Sequence, residues 1–94
     1  MSISTVLYKS KKLKDETSPV RLRLYFGKAH YMSLGENARP SEWNPRAGRF
    51  SAKAELYEEK NAKLRKAEQK ARIILNEMGT FSFHEFKLRF TGDY

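Results

Sequence analysis

Val20-Arg21-Leu22-Arg23-Leu24-Tyr25-Phe26, led in by Pro19, is the stretch that decides how this chain folds. Its side chains alternate with a period of two. Val20, Leu22, Leu24 and Phe26 fall on one face, and Arg21, Arg23 and Tyr25 fall on the other. That pattern predicts a half-buried strand with one face on a core and the other in water, as antiparallel sheets allow. Gly27-Lys28 then supplies a tight hairpin, with Gly27 free to take φ > 0. Residues 29–34 read as the returning strand, closed by Gly35. They place His30, Met32 and Leu34 on one side and Tyr31 and Ser33 on the other.

Upstream, residues 3–10 form another strand candidate. Thr5/Leu7 and Val6/Tyr8 both fit there as core pairs, and the reading favours Leu7 inward. Residues 11–19, rich in Lys, Asp, Glu, Thr and Ser, read as a mobile connecting loop. The three segments predict a three-stranded antiparallel sheet with a single apolar face, and that face needs a cover.

Residues 52–78 supply the cover. Tyr57, Leu64, Ala71 and Met78 lie seven apart, flanked by Ala67, Ile74 and Leu75. This is the apolar stripe of a helix of about 26 residues, roughly 39 Å long. Acids 55 to 59 at its start, and Lys66, Lys70 and Arg72 towards its end, suit the helix dipole. Gly79 fits the position just past the helix. Ser82 and Glu85 then have the spacing of a capping box, with Phe83, Phe86, Leu88 and Phe90 behind them. This marks the start of a second helix with too few turns to stand alone. Between sheet and long helix, residues 37–50 carry two prolines and the single tryptophan. They read as an ordered loop anchored by Trp43, with Phe50 in a short strand or under the helix. The predicted fold class is α+β.

The chain has 94 residues, a net charge of +8 and no cysteine. Without cysteine there is no disulfide scaffold, thiolate zinc site or cysteine nucleophile. His30 and His84, far apart in sequence, are a poor basis for a metal site, and each reads as structural or exposed. No Gly-rich phosphate loop, carboxylate cluster or Ser/His/Asp grouping stands out, and Tyr94 lacks the neighbours of a nucleophile. Glu58 and Glu59 read as a solvated helix face. The expectation is a non-catalytic protein with neither cofactor nor metal. No run approaches the roughly 18 apolar residues of a membrane span, and residues 1–12 lack a signal-peptide core, so a cytoplasmic location is expected.

The charge is uneven. Residues 1–50 hold ten Lys+Arg against four Asp+Glu, net +6, whereas residues 51–94 hold nine against seven, net +2. A solubility charge of about 2–8 is ordinary in a small domain, but the asymmetry points to a polyanion met by the first half. Arg21, Arg23 and Tyr25 project together at about 6.6–6.8 Å spacing, close to a phosphate or base-pair step. With Tyr31 and Ser33 beside them they form a surface suited to the major groove, where Arg reads guanine O6 and N7. The competing reading is an ordinary solvent face of a sheet. The run Lys9-Ser10-Lys11-Lys12-Leu13-Lys14 extends the positive surface toward phosphates, against the alternative of a solvated loop.

Ser4-Thr5-Val6-Leu7-Tyr8-Lys9-Ser10-Lys11-Lys12, then Pro19 to Arg23, Gly27-Lys28, Ser33-Leu34-Gly35, and Pro40-Ser41-Glu42-Trp43-Asn44-Pro45 with Gly48-Arg49, resemble a known family. It is the N-terminal arm-type DNA-binding domain of tyrosine recombinases, on the branch of phage-integrase proteins from Bacteroides-like mobile elements. The resemblance covers nearly the whole chain and rests on the order and spacing of the set. It implies a three-stranded sheet that enters the major groove of arm-type sites and packs on a C-terminal helix. Residues 1–79 would form that domain, and residues 80–94 a linker and the start of a core-binding domain. It also implies that Tyr8, Arg21, Arg23, Tyr25 and Tyr31 face DNA, with Lys9, Lys11, Lys12 and Lys28 near the backbone. Catalytic recombinase residues belong to a C-terminal domain that these residues do not include. One departure is Asp15-Glu16, where the family commonly has Asp-Gly, which implies a wider, more mobile loop at 11–18.

The expected partner is double-stranded DNA, with other protomers of a full-length recombinase beside it and no membrane. The isolated chain is expected to be monomeric. Two other readings compete: an interaction module that dimerises through the helix stripe, and an RNA-binding sheet that stacks bases on Tyr25 and Tyr31.

Overall fold

Val20, Leu22 and Leu24 are withdrawn completely from solvent, while Arg21 and Arg23 between them remain half-exposed. The period-two alternation therefore sets the fold, and each such aliphatic burial contributes about 1.5–3 kcal/mol. The structure is a computed structural model that describes residues 2–9, 12–13 and 15–92.

Three strands, β1 (Ser2–Leu7), β2 (Ser18–Tyr25) and β3 (Ala29–Ala38), form an antiparallel sheet in the order β1-β2-β3. Thr5 pairs with Leu22 and Leu7 with Val20, so Ile3, Thr5 and Leu7 point inward. Thr5 is buried, and Ile3 and Leu7 pack on the core. The inward choice for Leu7 agrees with this pairing. The hairpin from β2 to β3 turns through Phe26, Gly27 and Lys28, with Gly27 at φ 79° and the Phe26 N–H on the Lys28 carbonyl at 3.1 Å.

β3 does not stop at Gly35, contrary to expectation. Arg21 pairs with Ser33 but Val20 with Glu36, so Leu34 and Gly35 form a bulge. Gly35 takes φ 78° there, a conformation available to glycine, and the strand resumes beyond it to Ala38.

The loop between β1 and β2 is more closed at its tip than expected. Leu13 N–H donates to the Thr17 carbonyl and Glu16 N–H to the Leu13 carbonyl. Asp15 accepts from Thr17 at both N (3.2 Å) and Oγ1 (2.6 Å). Glu16 adopts φ 65°, the left-handed conformation that a glycine would take without steric cost.

After β3 comes a 3₁₀ turn, Pro40–Glu42, and then a small hairpin of β4 (Trp43–Asn44) and β5 (Arg49–Phe50). Trp43 and Phe50 are buried edge to face, 5.3 Å apart. Phe50 thus lies in a short strand and also under the helix, whose Asn61 bonds its backbone.

The long helix α1 is Tyr57–Glu77, 21 residues and about 32 Å, shorter at its N-terminus than the expected start at 52. Leu56, at φ 57°, blocks earlier helix, and Ala54 before it is buried in the core. Glu58 and Glu59 occupy the first turn, but the last turn holds no basic residue. Chain reversal is made by Met78 in an extended conformation, and Gly79 is not at positive φ. Leu64, Ala71 and Ile74 are buried against the sheet, with Tyr57, Leu75 and Met78 packed beside them.

The second helix, α2 (Phe83–Thr91), is capped by Ser82, whose Oγ accepts from the Glu85 N–H at 3.3 Å. It is held to the sheet: Phe86 is fully buried among Leu22, Leu24, Met32, Ala71 and Ile74. Phe81 stacks on Phe26 at 4.0 Å, and His30 lies against both Phe81 and Phe83. Among the described residues no helix is long and apolar enough to cross a membrane.

Candidate nucleic-acid interface

With both helices on the inner face, the outer face is composed by register. Arg23 of the central strand lies between Ser4 and Tyr31, and Arg21 between Val6 and Ser33. Tyr25 ends the row opposite Ala29. No acid occupies an outward position across these paired residues. Tyr25 and Tyr31 are 41% and 37% exposed, which leaves ring surface available to a partner.

Tyr8 lies just beyond β1, fixed by its N–H on the Pro19 carbonyl at 2.8 Å. The Arg21 guanidinium stands 4.1 Å over its ring, and the Tyr31 ring meets it edge-on at 5.2 Å. Arg23 lies 5.2 Å over the Tyr25 ring, two residues along the same strand. Five of the sequence candidates, Tyr8, Arg21, Arg23, Tyr25 and Tyr31, thus form one surface of alternating rings and cations. Ser33 belongs to the same face and is exposed, its Oγ accepting weakly from the Gly35 N–H at 3.4 Å.

The lysines are more scattered. Lys9 is exposed where β1 ends, beside Pro45 and Trp43 at a cavity of about 120 Å³. Lys28 is exposed in the hairpin turn, at the far end of β2 from Lys9, and Lys12 is exposed in the loop. Lys11 lies outside the described residues. At the loop tip the Thr17 hydrogen bonds hold the Asp15 carboxyl below its usual value, the side-chain bond being the largest cause.

One cation counted in the basic half is not available to a polyanion. Arg49 Nη1 donates to Thr5 Oγ1 at 3.0 Å and to the Gly48 carbonyl at 2.9 Å, while Nη2 pairs with Glu68. Thr5 Oγ1 in turn donates to the Gly48 carbonyl. Glu68 is buried on α1, so this group is a structural bolt from β1 through β5 to the helix. Sequence reasoning also left out Ser4 and Val6, which complete the outer face. Only the parity of β1 relative to β2 could have revealed them.

A family model described as Arm DNA-binding domain matches residues 5–87, a span that runs from β1 into α2. No curated protein and no solved structure matches the chain.

Proposed function

Because the chain belongs to the Arm DNA-binding domain family, we propose that it is the non-catalytic DNA-binding module of a site-specific tyrosine recombinase. On this reading it binds duplex arm sites by laying the outer face of its sheet in the major groove. The observation that carries the reading is the row on β2. Arg21 and Arg23 project away from the helices, on a face whose paired strand residues include no outward acid, and among the described residues neither is engaged in an ion pair. A three-stranded face of this kind brings a cluster of donors to base edges at once, while Lys9, Lys12 and Lys28 sit at its margins for phosphates. Residues 80–94 lead on this view toward a core-binding domain, with α2 anchored to the sheet by Phe86.

The dimer reading has less surface to work with. Of the Tyr57, Leu64, Ala71 and Met78 stripe that would join two chains, Leu64 and Ala71 are buried in the chain's own core and Tyr57 and Met78 pack against it.

Fluorescence anisotropy with labelled duplex at several salt concentrations tests the proposal. Affinity is expected to fall steeply with salt, and Arg21→Ala and Arg23→Ala each to weaken binding by about 1–3 kcal/mol. If both variants match the wild type at low salt, the outer face is not the DNA face.

A further inference from the structure

Arg21 and Arg23 share a strand and a face, yet they are held differently. Arg21 is half-buried at the centre of the sheet, flanked by Val6 and Ser33, with its guanidinium on the Tyr8 ring at 4.1 Å. Its Nε is shut off from solvent and makes no hydrogen bond. Among the described residues no ion pair engages the head group either, in contrast to Arg49, whose guanidinium is spent on Thr5, Gly48 and Glu68. Tyr8 is fixed in turn by Tyr31 edge-on and by its own backbone bond to Pro19. Arg23 instead sits 5.2 Å over Tyr25, a ring that is itself 41% exposed.

A guanidinium N–H shut off from solvent without an acceptor is costly, and the planar fork of the remaining N–H groups matches a bidentate acceptor. Stacking on an aromatic ring fixes the plane of that fork before any ligand arrives, so little rotamer freedom is lost on binding. Two acceptors offer the matching pair of oxygens or nitrogens, a guanine edge (O6 and N7) and a phosphate. Position favours the base. Arg21 is on the middle strand with a strand on either side, whereas phosphates flank a groove at its margins.

Resting on the reading above, we infer that Arg21 is the residue that fixes a guanine at the centre of the recognised site, and that Tyr8 is its positioning residue. Tyr8 then acts through Arg21 and contributes little base contact of its own. Arg23, less constrained, tolerates more than one base at its step.

The test begins with selection of binding sites from random-sequence duplex by the full chain. A panel of single-base variants of the selected duplex is then measured by anisotropy. Selected sites share one invariant G·C pair, and 7-deazaguanine at that guanine, which removes N7, weakens the wild type about tenfold or more. Arg21→Ala, which leaves no donor for O6 and N7, loses the preference at that pair while the preferences at other pairs remain. Tyr8→Leu loses the same preference, and Tyr8→Phe restores it, a pattern that a merely structural tyrosine would not give. Thermal melts of each variant confirm that the fold is retained, and the 7-deazaguanine arm needs no variant.

Undiminished guanine preference in Arg21→Ala overturns the inference. So does a uniform loss across all duplexes with Arg21→Ala, accompanied by a shallower salt slope, which would mark a phosphate contact. Both of those results leave duplex binding itself standing. Failure of the wild-type chain to bind any duplex would instead remove the functional reading beneath it.

Discussion

The side-chain amide of Asn61 bonds both backbone polar groups of Phe50. The Phe50 N–H donates to Asn61 Oδ1 at 2.8 Å, and Asn61 Nδ2 donates to the Phe50 carbonyl at 3.0 Å. A helix side chain thus does for β5 what a neighbouring strand would do, on a residue whose own side chain is buried. Asn61→Leu keeps the bulk and removes both partners. It is expected to lower stability by about 1–3 kcal/mol in urea unfolding, because the Phe50 amide and carbonyl are left unsatisfied. A loss within a few tenths of a kcal/mol would mean that water replaces the amide there.

The bolt formed by Arg49 and Glu68 makes a second, sharper case. Their side chains are 23% and 10% exposed, so the pair is partly shielded. Glu68→Ala strands the Arg49 cation against Thr5 and Gly48 and should cost about 2–3 kcal/mol, somewhat less than a fully buried pair. The double variant Arg49→Met/Glu68→Leu should recover much of that loss, since no charge then remains to be stranded. A double variant as unstable as Glu68→Ala would show that packing, not the orphaned cation, sets the cost.

Backbone strain is stored at Leu56, a residue 61% exposed that takes φ 57°. A non-glycine residue there costs about 1–2 kcal/mol, part of which glycine gives back through the unfolded chain. Leu56→Gly should therefore stabilise by about 0.5–1 kcal/mol in thermal melts, whereas Leu56→Ala, which keeps the strain, should not. Equal stability of the two substitutions would remove the strain argument.

At the loop tip, acidification acts in one direction. The folded Asp15 carboxyl titrates below its unfolded value, so its hydrogen bonds to Thr17 stabilise the turn above the unfolded value. They are lost as pH falls through the lower folded value, in a window below about pH 4. NMR should show the Thr17 amide moving and exchanging faster in that window while Arg21 and Tyr31 signals stay put. A Thr17 transition at or above the titration of a free aspartate would contradict the turn.

The alternation from Val20 to Phe26 and the seven-residue spacing from Tyr57 to Ala71 were legible because each is a local period imposed by a single dominant burial. The pairing of Tyr8 with Arg21 and of Arg49 with Glu68 was not. Those side chains are 13 and 19 residues apart, and only the completed sheet and helix bring them together. Arg49 illustrates the limit of counting charge: in sequence it adds to a basic half, and in the fold it is spent on an internal acid. The helix start was misplaced for a different reason. Residues 52 to 56 have helical composition, and the left-handed turn at Leu56 leaves no compositional trace. The continuation of β3 past Gly35 was hidden in the same way, since a glycine that ends a strand and one that makes a bulge look alike.

The strand order has a consequence for how the molecule is made. Each strand of the sheet pairs with its neighbour in sequence, so the outer face, from Ser4 to Ser33, is topologically complete before α1 begins. Its backing is not, because Leu22 and Leu24 share their cluster with Ala71, Ile74 and Phe86. During synthesis the surface bearing Arg21 emerges first, on a sheet whose other side stays greasy until some fifty more residues have followed, roughly a few seconds at ribosomal rates.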